Sequence, residues 1–225
     1  MKLLSIGLLA CAALLASQAV SAQGSGPSAG AWEFTLGPVY TLSKSVNFEG
    51  GSSAKLESSV GGRFGIAYYL TDEFSFGGDF AYGRPNLTAN VIGANGTANF
   101  VENGRATINS FNFTGTYHLL DGAIRPFALL GVGWNWVSTD IASGPPVAGC
   151  WWDPWWGYIC SGYQPTHGAS SLTGQLGLGV QLNFNESFAV NVDYRETWIQ
   201  LQNANGTPGF GNIEALFIWR FGGGY

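Results

Sequence analysis

From Ala31 onward, apolar and polar residues alternate one for one in short runs, the period of a strand with one greasy and one wet face. In AWEFTLGPVYTL, Trp32, Phe34, Leu36, Tyr40 and Leu42 fall on one side, and Glu33, Thr35, Gly37 and Thr41 on the other. In GGRFGIAYYLTDEFSFGGDFAYGR two such runs meet at the turn Thr71-Asp72-Glu73. Phe111, Phe113, Tyr117 and Leu119 continue the series, followed by a turn from Leu120 to Arg125 and a run from Pro126 to Val137. In that run the phase with Ala128, Leu130, Val132, Trp134 and Trp136 outward is favoured, because it gathers Gly131, Gly133 and Asn135 on the other face. Runs from Leu172 to Phe184 and from Phe188 to Tyr194 flank the turn Asn185-Glu186-Ser187, and Ile213 to Phe221 forms the last. The pattern predicts eight strands. Short connections at 71–73, 120–125 and 185–187 alternate with long ones at 43–57, 84–105, 138–170 and 202–211, rich in Gly, Asn, Ser and Pro.

Composition decides which face points out. Charged residues make up 10 % of the chain, against about 25 % in ordinary soluble domains. Beyond residue 22 the only lysines are Lys44 and Lys55. A soluble domain so built would lack the charged surface that keeps it in solution. No stretch after residue 22 is apolar for long enough to span a bilayer as a helix. Apolar surface without an apolar helix predicts a transmembrane β-barrel. A soluble lipocalin-like barrel would put its aliphatic residues inside, and a Gly/Ser/Thr/Asn/Gln face is a poor solvated exterior. Tyr40, Tyr82, Trp134, Trp136 and Trp198 lie toward the long-connection ends, and Tyr68, Tyr117 and Trp219 toward the short-turn ends, as in two aromatic girdles.

The first residues, MKLLSIGLLACAALLASQAVSA, read as a secretory signal cleaved after Ala22, since one lysine leads an apolar run ending in Val20-Ser21-Ala22. A barrel domain over 23–225, with its strands within 31–221, is expected to follow. Loss of Lys2 moves the net charge from −5 to −6, and no basic stripe exists, so nucleic acid is not expected as a partner.

Three stretches carry a resemblance: YYLTDEFSFGGDFAYG, TYHLLDGAIRPFALLGVGW and LNFNESFAVNVDYR. Across residues 31–221 the chain resembles the small eight-stranded outer-membrane barrels of the OmpA, OmpX and OmpW type, its middle stretch being most like OmpW. The resemblance implies a Gram-negative outer-membrane protein, all-β, with short periplasmic turns and long extracellular loops. It implies outer-membrane lipid and lipopolysaccharide as surroundings. It also implies assembly by a barrel-assembly machinery that reads a terminal aromatic, here Phe221 or Tyr225. OmpW relatives are associated with a small apolar channel.

The facing pattern puts Glu33, Arg63, Asp79, Asp193, Arg195, Glu214 and Arg220 inside the barrel. An eight-stranded barrel is just filled by its inward side chains, and buried charges must pair. These seven are therefore expected to form salt bridges that plug the lumen, or to line a narrow gated conduit for small solutes. Glu33 and Arg220 are the most specific pair, because the first and last strands must meet. Cys150 and Cys160, left alone once Cys11 departs, are expected to form a disulfide. They bracket CWWDPWWGYIC, whose Trp151, Trp152, Trp155, Trp156 and Tyr158 make a candidate surface-binding loop or a cap on the barrel mouth. A lipid A-modifying His/Ser pair would have to be His167 and Ser170, but a spacing of three puts them on opposite faces of a strand. His118 is expected inside the lumen. No catalytic, metal or cofactor site is expected. The leading expectation is a non-enzymatic envelope barrel with a structural role or porin-like minor passive permeation. The alternative is a surface adhesin or ligand-binding barrel acting through residues 150–160.

Overall fold

The computed structural model describes residues 27, 29–48, 51–92, 99–142, 147–155, 157–163, 166–200, 204 and 206–222. Residues 1–22, where a signal is expected, Trp156 and Tyr225 lie outside them, as do the side chains of Cys150, Trp151, Cys160 and His167. Among the described residues thirteen strands follow in chain order. They are β1 (Ala31–Thr41), β2 (Lys44–Asn47), β3 (Ser53–Leu56), β4 (Ser59–Tyr69), β5 (Phe74–Gly83), β6 (Asn86–Ile92) and β7 (Asn99–His118). Then come β8 (Ile124–Ala142), β9 (Val147–Asp153), β10 (Gly157–Tyr163), β11 (Thr166–Asn183), β12 (Phe188–Ile199) and β13 (Gly209–Gly222).

Eight of these close an antiparallel barrel in the order β1-β4-β5-β7-β8-β11-β12-β13, with β13 returning to β1. Alternation becomes facing. Trp32, Phe34 and Leu36 of β1 are between 38 % and 46 % exposed, while Glu33 between them is 4 % exposed. The other strands repeat this, so an apolar band far larger than any soluble monomer carries runs round the outside. On β8 the outward row is Leu130, Val132, Trp134 and Trp136, and Gly131 and Asn135 face the interior. A Cβ at Gly131 would stand 2.5 Å from Gln175 Nε2, so the missing side chain gives Gln175 its place in the lumen.

The short turns carry their own fastenings. Asn185 Oδ1 accepts from the backbone N–H of Ser187 (2.9 Å) and Phe188 (2.8 Å), an Asx arrangement. Gly122 takes φ +115°, which only glycine adopts without strain.

Two expectations need correction. The long connections are not simply loops, because they carry β2, β3, β6, β9 and β10, and β7, β8 and β11 run on into them. Above the barrel, β2, β3, β6 and the start of β7 form a sheet that prolongs one wall, pairing β2–β3, β3–β6 and β6–β7. Their Gly/Asn/Ser-rich sequences lack clean alternation, yet growing strands offer them edges to pair with. Nor does the turn at 120–125 include Arg125, which lies in β8 and is buried in the lumen.

Candidate functional site

The inner face of the barrel is a charge network. Arg63 on β4 donates through Nη1 to Asp79 on β5. Its Nη2 donates to Glu214 Oε1 on β13 at 2.9 Å, and its Nε lies 2.8 Å from Glu214 Oε2, a two-pronged grip across the lumen. Arg195 lies 3.6 Å from both Asp79 and Glu214, and 3.4 Å from Asp193. Asp79 also accepts from Asn112 Nδ2 (3.0 Å) and Thr114 Oγ1 (2.8 Å). These five ionised groups are all at least nine-tenths buried. Such burial costs several kcal/mol per ion, and only mutual pairing with extra hydrogen bonds offsets it.

At the short-turn end a second group closes the floor. Arg220 on β13 donates to Glu33 on β1 at 2.6 Å and to Asn183 on β11 at 2.7 Å, and the two partners on β1 and β13 lie opposite each other in register. Gln181 reaches Glu33 at 3.4 Å. Arg125 donates to the carbonyls of Leu120 (3.2 Å) and Asp72 (2.6 Å), lacing two turns together. His118 is buried with its ring 5.8 Å from that of Tyr69 and 5.6 Å from that of Phe127. With Arg125, the buried ionised side chains among the described residues are four arginines and four carboxylates. Sequence reasoning missed Arg125 because Asp121 and Gly122 read as turn. Carrying the inward phase back through Leu129 and Phe127 would have found it.

The space left over is divided. A cavity of about 70 Å³ lies toward the short turns, against Glu33, Arg63, Asp79, His118 and Arg195. Another of about 60 Å³ lies toward the opposite end, against Arg63, Ser110, Asn112, Asn135 and Asn212. Arg63 borders both. Each has room for one or two waters and no solute. Above them Val46 of β2 packs on Ile199 and Phe210, and a bridge pairs Phe48 with Ala204, so the first long connection lies across part of the mouth. Beside this apolar lid the prolonged walls border a half-open cavity of about 560 Å³. Ala54, Leu56, Leu87, Ala106, Val137 and Ala169 line it, with Ser170 at its border.

The aromatic connection is a two-stranded hairpin, β9 against β10, placing Cys150 opposite Cys160 and Trp152 opposite Tyr158. Asp153 and Pro154 suit the first two positions of its turn, and Gly157 closes it at φ +75°. Trp152, Trp155 and Tyr158 are 68 %, 90 % and 73 % exposed, so none of the three plugs the mouth. The rings of Trp152 and Tyr158 stand 6.2 Å apart. No group of three or more His, Cys, Asp or Glu side chains among the described residues is placed to hold a metal.

Comparison with known proteins fits this geometry. The family described as outer membrane protein beta-barrel domain matches residues 7–221. The chain belongs to that family. As an outer-membrane barrel it is similar in fold to Neisserial surface protein A, at 14 % identity over 85 % of this chain and 99 % of that one, with a TM-score of 0.55. It also matches Ail of Yersinia pestis, solved with a heparin analogue, at 15 % identity over 86 % and 99 % of the two chains and a TM-score of 0.49. OprG of Pseudomonas aeruginosa matches at 16 % identity over 88 % and 98 %, with a TM-score of 0.48. No curated protein sequence matches. The outer-membrane barrel therefore sits in the outer membrane with its apolar band against lipid, its short turns in the periplasm and its long connections outside.

Proposed function

We propose that this outer-membrane barrel is a non-enzymatic binding protein whose shut lumen anchors an extracellular vestibule for a small apolar molecule. The observation that carries the reading is the cavity of about 560 Å³ above the plug, lined by apolar residues from β3, β6, β7, β8 and β11. Its size is that of ordinary ligand sites, about 300–1,000 Å³. Porin-like permeation has weaker support, since the two lumen cavities of about 70 and 60 Å³ are parted by a buried ion network. A structural role in the envelope is compatible with the vestibule. An enzymatic role finds no constellation among the described residues, where His118 is walled in by Tyr69 and Phe127 and Ser170 borders the vestibule with no described base beside it. We further propose that Cys150 and Cys160 are joined, since their strands hold them directly opposite. The surroundings proposed for the barrel are lipopolysaccharide outside and the barrel-assembly machinery during insertion.

The test compares the wild type with Val137→Asp, which puts a charge in the vestibule wall outside the bilayer. Both are placed in identical nanodiscs and titrated with N-phenylnaphthylamine. Dye partitioning into lipid is common to both, so the difference isolates the cavity. Extra saturable fluorescence in the wild type, lost in Val137→Asp, is expected. Superimposable titrations would refute a vestibule site.

A further inference from the structure

The aromatic hairpin is not used by the vestibule reading and stands independently of it. We propose that Trp152, Trp155 and Tyr158 form a stacking platform for sugar rings, and that its occupant is the core oligosaccharide of the glycolipid surrounding the barrel. Height argues for this. On the outer face of β8 the apolar row ends at Trp136, and Ser138 and Asp140 above it are exposed polar residues. On β11, Leu172 is likewise followed upward by exposed Ser170. From Trp136, six residues of β8 lead to its end at Ala142, before the hairpin begins. At about 3.4 Å per residue and a strand tilt of about 40°, its root stands roughly 15 Å beyond the lipid-facing band. At that level the outer leaflet presents sugar, not acyl chain. The hairpin is thus rooted where paired β8 and β11 end, at the height of the sugar layer.

Chemistry argues the same way. Within residues 147–163 the only charged side chain is Asp153, so phosphate has no cation there to bind. An indole or phenol offers an apolar face to the C–H face of a pyranose, and a polar N–H or O–H to its hydroxyls. Among the described residues the platform is three rings of about 150–250 Å² each, not all of it available, against about 800 Å² from each side of a stable protein interface. They match two or three sugars.

The full mature chain is labelled with 5-fluorotryptophan and placed in nanodiscs holding either full-core lipopolysaccharide or lipid A alone. The Trp152 and Trp155 fluorine signals are assigned with Trp152→Phe and Trp155→Phe, and a soluble paramagnetic agent is added. Loss of broadening at these two signals in full-core discs only is expected, and Tyr158→Ser should restore it at Trp152. Equal protection by lipid A alone would overturn the proposal in favour of a third membrane girdle. No protection in either disc would overturn it outright. Heat-modifiable migration of Tyr158→Ser on gels confirms that its barrel is folded.

Discussion

Replacing Arg63 by alanine would test whether one guanidinium both ties the barrel and divides its lumen. Arg63 is 4 % exposed and holds Asp79 on β5 and Glu214 on β13, so its removal strands two buried carboxylates. Breaking a buried pair costs about 3–5 kcal/mol. The lower end applies here, because Arg195 remains 3.6 Å from both carboxylates and Asp79 keeps Asn112 and Thr114. At a slope of about 2–3 kcal/mol per molar urea for a chain of this size, the unfolding midpoint should fall by about 1–2 M. The same change removes the wall shared by the cavities of about 70 and 60 Å³, leaving one continuous polar space. The floor group around Arg220 and the connection at Val46 are untouched, so planar bilayers should stay silent for wild type and Arg63→Ala alike. Arg63→Met keeps most of the bulk without the charge, so it should lose stability as well. The reasoning fails if Arg63→Ala unfolds at the wild-type urea concentration, or if it conducts.

Glu33→Ala alone should destabilise the barrel more than Glu33→Leu combined with Arg220→Met, because the single change leaves a guanidinium at the seam with only Asn183. Heat-modifiability on gels ranks the two, and the opposite order would refute the pairing argument. If Cys150 and Cys160 are joined, alkylation before and after reduction should differ by two modified thiols in mass spectrometry. Cys150→Ser should leave the barrel's heat-modifiability unchanged, since β9 and β10 pair with each other outside the barrel sheet.

Much of the wall was legible because strand period and lipid exposure impose the same rule on every residue. Once Trp32 and Phe34 point out, Glu33 must point in, and the first strand's contact with the last places Glu33 beside Arg220. The pairing of Arg63 was not legible. Its acids lie 16 and 151 residues away, and which of them faces it depends on strand stagger, which alternation does not encode. The vestibule was hidden for a related reason. Ala54 and Leu87 are unremarkable singly, in stretches that read as loops, Val137 is the last residue of its predicted strand, and the three become a wall only when β3, β6 and β8 stand in order. Arg125 was lost to the turn signals on either side of its true boundary.

The seam joining β1 to β13 has a consequence for how the molecule is made. Arg220 is 187 residues from Glu33, so the bond that locks the cylinder waits for nearly the whole polypeptide. Until then the first strand offers a bare row of amide and carbonyl groups to any neighbour. Contacts this distant form late and slowly. A chain cut short before Gly209 would be left as an open ribbon, prone to zip onto its own kind.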